Sequence, residues 1–119
     1  METVIKSLVA ALRTTIPMLV RTASASGDYL EGVLSRQALE RCEILLRETL
    51  GPPIKEFSKA ATFEPPIQKV IDRIGGIRFD QCVFLKQGGE GHVAYAVLWP
   101  WASDATRITI KVGVLELAS

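Results

Sequence analysis

The nucleophiles and bases of this chain are few: one histidine, His92, and two cysteines, Cys42 and Cys82. A Cys–His dyad needs thiol and imidazole within hydrogen-bond reach. His92 and Cys82 belong to consecutive strands, but His92 stands beside the turn and Cys82 far from it. At ~3.3 Å per residue, the offset of about six residues is roughly 20 Å, so the hairpin itself cannot join them. His92 reads as a polar residue at a strand end. The thiols have no CxxC partner and no zinc spacing. They read as small buried apolar groups in a reducing compartment, so a cytoplasmic location is expected.

Acid–base hydrolysis needs only two carboxylates. Glu40 and Glu43 share a helix face but lie among Arg36, Arg41 and Arg47, as a solvated, ion-paired surface does. Glu64, Asp72, Asp80, Glu90 and Asp104 are scattered. The Gly88-Gly89-Glu90-Gly91 run lacks the Lys-Ser/Thr ending of a phosphate loop and joins two strands, so it reads as a hairpin turn. No catalytic residue, metal ligand or cofactor is assigned.

Trp99-Pro100-Trp101 is the most distinctive local feature. Trp99, at a strand end, is expected in the core, and Trp101 is expected to be more exposed. Together with Tyr95 they could instead wall a ligand pocket between helices and sheet.

The bulk numbers narrow the classes. The chain has 119 residues, 48% of them apolar and 23% charged, as in an ordinary globular domain. One domain over 1–119 is expected, burying roughly two thirds of its unfolded surface. Six basic and six acidic residues fall in 1–50, and eight and seven in 51–119, for a net charge of +1. That balance argues against a nucleic-acid partner. No run suits a membrane span. Arg13 interrupts the apolar N-terminal stretch, which argues against a secretory signal.

The elements that must position these residues follow from periodicity. Ile5, Leu8, Val9, Leu12, Ile16 and Leu19 form one stripe, which predicts a helix over 3–20, kinked by Pro17. Asp28 with Glu31 resembles a capping box opening a second helix. Leu30, Val33, Leu34, Ala38, Cys42, Leu45 and Leu46 continue its stripe to the stop at Gly51-Pro52-Pro53, and Ser35 could mark a second start. A third helix is predicted from Pro66 to Ile74. Strands are predicted over 77–87, 92–99 and 106–117, so no strand is expected before about residue 76. The fold class is thus α+β: N-terminal helices on a C-terminal three-stranded antiparallel meander.

Pairing Val83 with Val97 and Leu85 with Tyr95 fixes the first hairpin, and Ala96 opposite Lys111 and Ala94 opposite Gly113 is the expected second register. One face is then densely apolar. The other holds Cys82, Phe84, Ala94, Ala96, Leu98, Gly113 and Leu115 inside a charged rim, the layout of an interface. The leading expectation is a non-catalytic assembly or protein-interaction domain, a homodimer through that face. A small-molecule domain with a pocket at Tyr95, Trp99 and Trp101 comes second, and an enzyme using scattered acids or Cys82 third. The expected competitor of the dimer is the N-terminal helix, released by the break at Pro17 and folded over the same face.

Overall fold

A computed structural model describes residues 2–116, without the side chain of Glu90. Its elements are α1 (Glu2–Thr15), β1 (Met18–Ala23), β2 (Leu30–Ser35), α2 (Leu39–Leu50), α3 (Pro65–Arg73), β3 (Cys82–Gln87), β4 (His92–Pro100) and β5 (Arg107–Glu116). The architecture is α+β with one five-stranded antiparallel sheet in the order β1-β2-β5-β4-β3.

The sheet has two strands more than the sequence predicts, and both precede residue 76. Pro17 does not kink α1; the helix ends at Thr15, and a strand begins at Met18. Asp28 caps no helix. Its Oδ1 accepts hydrogen bonds from Ser24 Oγ and Ser26 Oγ, each 2.7 Å, and Ser24 Oγ accepts from the Asp28 and Tyr29 amides. Short polar side chains thus close a turn locally, which is their competing use to helix capping. Gly27 completes it with φ of 79°. The chain returns as β2, and Ser35 ends that strand before a short 3-10 turn leads into α2.

The later elements lie close to expectation. α3 starts on Pro65-Pro66 and stops at Gly75 and Gly76, both with positive φ. The β3–β4 register pairs Val83 with Val97 and Leu85 with Tyr95. The expected first strand starts too early: 77–81 is not strand, and Phe79 is exposed. The expected third strand reached Leu117, which lies outside the described residues. The β4–β5 register differs by one residue from the expected one: Ala96 faces Val112 and Ala94 faces Val114. A one-residue slip exchanges the two faces of a strand. Ile108, Ile110 and Val112 therefore join Ala94, Ala96 and Leu98, whereas Gly113 and Leu115 belong to the opposite face.

Each face has its own core. Ile5, Leu8, Val9 and Leu12 of α1 and Cys42, Leu46 and Leu50 of α2 pack on Leu30, Leu34, Phe84, Ala96, Leu98 and Ile110. Fully burying each large apolar side chain there contributes about 1.5–3 kcal/mol. On the other face, Val70 and Ile71 of α3 pack on Val83, Leu85, Val93, Tyr95 and Val97 of β3 and β4.

The two sheet edges are treated differently. Beside β3, the Ile54 amide donates to the Val83 carbonyl and the Val83 amide to the Lys55 carbonyl, both at 2.9 Å. The buried Lys55 Nζ then donates to the carbonyls of Glu56, Phe79 and Gln81 at 2.9, 2.7 and 2.7 Å. This strap covers the start of that edge, at Val83. At the other, among the described residues, no segment pairs with the outer side of β1.

Candidate functional site

The seven residues expected to form a dimer interface do not form one surface. Cys82, Phe84, Ala94, Ala96 and Leu98 are 0–1% exposed beneath α1 and α2. Gly113 and Leu115 lie on the other side of the sheet, Gly113 buried and Leu115 half-buried. The small side chains at Ala94 and Ala96 serve close approach by the chain's own helices.

Cys42 and Cys82 are also remote from chemistry. Burial pushes each thiol up to about 12, so neither supplies a thiolate near neutral pH. His92 opens β4, its Nδ1 3.3 Å from the Gly89 carbonyl oxygen, while Cys82 pairs with Leu98 toward the other end of the same strand. Burial raises the Glu43 carboxyl above its ordinary value, partly offset by Arg47. Among the described residues no three His, Cys, Asp or Glu side chains gather as a metal site. Nor is any helix there long and apolar enough to cross a membrane.

The tryptophans are brought together. Register lines Trp99, Thr109, Val33 and Leu19 across β4, β5, β2 and β1, and the next row carries Val97, Lys111 and Glu31. The α3-side core draws its buried members from α3, β3 and β4 alone, so this end of the face is paved by strand and loop side chains. After Pro100, Trp101 turns back and donates its indole N–H to Thr109 Oγ1 at 2.8 Å. Its polar edge is thereby satisfied, as a half-buried indole requires. Two guanidinium groups lie against the ring: Arg21 Cζ at 5.5 Å and Arg107 Cζ at 5.2 Å from the centroid.

Beside Trp101 is a cleft of about 450 Å³ lined by Trp99, Trp101, Arg21, Arg78, Lys111 and Glu31, among others. Trp99 and Trp101 are both half-buried, so Trp99 is less enclosed than the strand-end pattern implies. Tyr95 lies deeper on the same face, where burial raises its phenol above the ordinary value. Its ring fills the space over Gly113: a Cβ there would stand 2.6 Å from Tyr95 Oη. Tyr95 therefore underpins the face and is not among the residues lining the cleft. A second hollow, of about 810 Å³, is bounded by Leu19, Val33, Arg36 and Arg107. Leu19 is 64% exposed there, the most exposed large apolar residue described.

Arg21 and Lys111 escape a sequence reading. Arg21 looks like the wet side of an extended first helix until the strand is known. Lys111 takes its place only with the β4–β5 register. No family model matches the chain, and no curated protein or solved structure matches it.

Proposed function

We propose that the chain is a non-catalytic interaction domain that self-associates through β1. The observation that carries this reading is the contrast between the two edges: the Ile54–Lys55 strap pairs with β3 at Val83, and among the described residues no segment pairs with the outer side of β1. An open edge offers backbone donors and acceptors as a template for another strand. β1 carries Met18, Leu19 and Val20, with Arg21 its only charge and no proline inside it. A β1–β1 contact about a two-fold axis gives both copies the same new hydrogen bonds, the self-complementary arrangement of a dimer. A two-fold placed at Leu19 sets Met18 against Val20 of the other copy and keeps the two Arg21 side chains apart. The irregularity between Val20 and Thr22 limits the pairing to the start of the strand.

Light scattering on a sizing column tests this. The 13.0 kDa chain is expected to run at about twice its mass at micromolar concentration. Leu19→Lys places a charge on the exposed edge and is expected to give a folded monomer. A wild type that is already monomeric ends the self-association reading.

A second reading, supported by the cleft beside Trp99 and Trp101, is a small-molecule binding domain. The cleft is open to solvent, and one wall combines aromatic with charged groups that could hold a small ligand.

A further inference from the structure

We infer that the Trp99–Trp101 cleft binds an organic anion, a carboxylate or phosphate carried on a small planar body; this rests on the small-molecule reading of that cleft. Three cations line it, Arg21, Arg78 and Lys111, against one carboxylate, Glu31. The chain as a whole is nearly neutral, so the excess is local. Among the described residues, no carboxylate lies within 4.0 Å of the Arg21 or Lys111 charged groups. Arg78 has only a long contact, 3.9 Å from Nε to Asp80 Oδ1, between two side chains open to water. Exposed pairs of that kind contribute little and are readily exchanged for a ligand.

The arrangement is also partly organised before any ligand arrives. Thr109 Oγ1 fixes the Trp101 indole, and the indole ring holds the Arg21 guanidinium. A stacked guanidinium keeps its planar fork of donors and loses less freedom on engaging a carboxylate or phosphate. Thr109 accepts the indole proton and retains its own hydroxyl hydrogen to donate. Glu31 stands opposite Lys111 in register and weakens the positive field there, which leaves Arg21 and Arg78 as the dominant pair. Trp99 supplies apolar surface in the cleft lining for the body of the ligand.

The test is a titration at low ionic strength, followed by tryptophan fluorescence and by backbone amide shifts at Thr109 and Lys111. The probes are phthalate, phenyl phosphate and the uncharged dimethyl phthalate. Phthalate or phenyl phosphate is expected to bind saturably, weakening at least tenfold in high salt, and the stronger of the two identifies carboxylate or phosphate as the preferred group. Arg21→Gln combined with Arg78→Gln should weaken binding at least tenfold with the melting temperature held, while Lys59→Gln should leave it unchanged. If dimethyl phthalate binds as well as phthalate, or the double variant binds phthalate and phenyl phosphate normally, the anion proposal is overturned and the cleft reading stands. If none of the three probes perturbs Thr109 or Lys111, both fall.

Discussion

Cys42 and Cys82 are the clearest case of a residue type losing its chemistry to its surroundings. Each thiol is 0–1% exposed and is held up to about 12 by burial, from an ordinary value of 9.0. Between those values the unfolded chain releases two protons that the folded chain retains. Their contribution to stability is therefore complete below pH 9 and is lost as the pH rises toward 12. The slope is about 1.4 kcal/mol per pH unit for each thiol. Urea unfolding at a series of pH values should show this decline, and a Cys42→Ala, Cys82→Ala variant should show a shallower one. An unchanged slope would mean that the thiols titrate normally. The sequence marked both as buried, because isolated cysteines on apolar stripes have no partner to activate them. It also singled out Trp99 and Trp101, since a Trp-Pro-Trp run leaving a strand is visible in one dimension. It could not supply Arg21, whose place beside Trp101 depends on a strand pairing made far along the chain.

At the scale of elements, the β1–β2 hairpin is where one-dimensional reading failed. Leu30, Val33 and Leu34 fit a helical stripe and a strand equally well over so short a run. Asp28 and Glu31 have capping-box spacing, yet the serines before Asp28 claim its side chain. Gly32 was the available sign: in β2 it lets β1 approach, with Met18 Sδ only 2.9 Å from where a Cβ would stand. The β3–β4 register was legible because its turn glycines fix the loop length, whereas the longer β4–β5 connection allowed a one-residue slip. That slip made Ala94 and Ala96 look like an exposed shallow strip. They are 0% exposed, covered by α1 and α2. Ala96→Arg must therefore bury a charge or expel a helix, and is expected to cost more than about 4 kcal/mol. Denaturation should show that loss at unchanged mass. A stable variant of altered mass would mean that α1 does not cover the sheet.

For the whole molecule, sheet order carries more consequence than helix count. β2 pairs with β5, so Leu30 is bonded beside Val112 and Ser35 beside Arg107. The two halves of the sheet, β1–β2 and β3–β4, are joined only through β5. Contacts of such large sequence separation slow folding, because loop closure precedes any reward. Stopped-flow refolding is expected in the millisecond-to-second range, slower than a helical bundle of this length. Microsecond folding would contradict the strand order. This topology was not legible: no local pattern in residues 30–35 specifies a partner at 107–112.

The same order sets a schedule for synthesis. As the chain leaves the ribosome, α1, the β1–β2 hairpin and α2 emerge first, with Ile5, Leu12, Leu34 and Leu46 lacking the surface they finally cover. β3 and β4 come next and bring their own strap and α3. Until β5 arrives, the sides of β2 and β4 that it will join are as unpaired as the outer side of β1. The nascent chain thus carries three open strand edges, on β1, β2 and β4, of which β5 closes two, acting as the closing stave between two prefabricated halves.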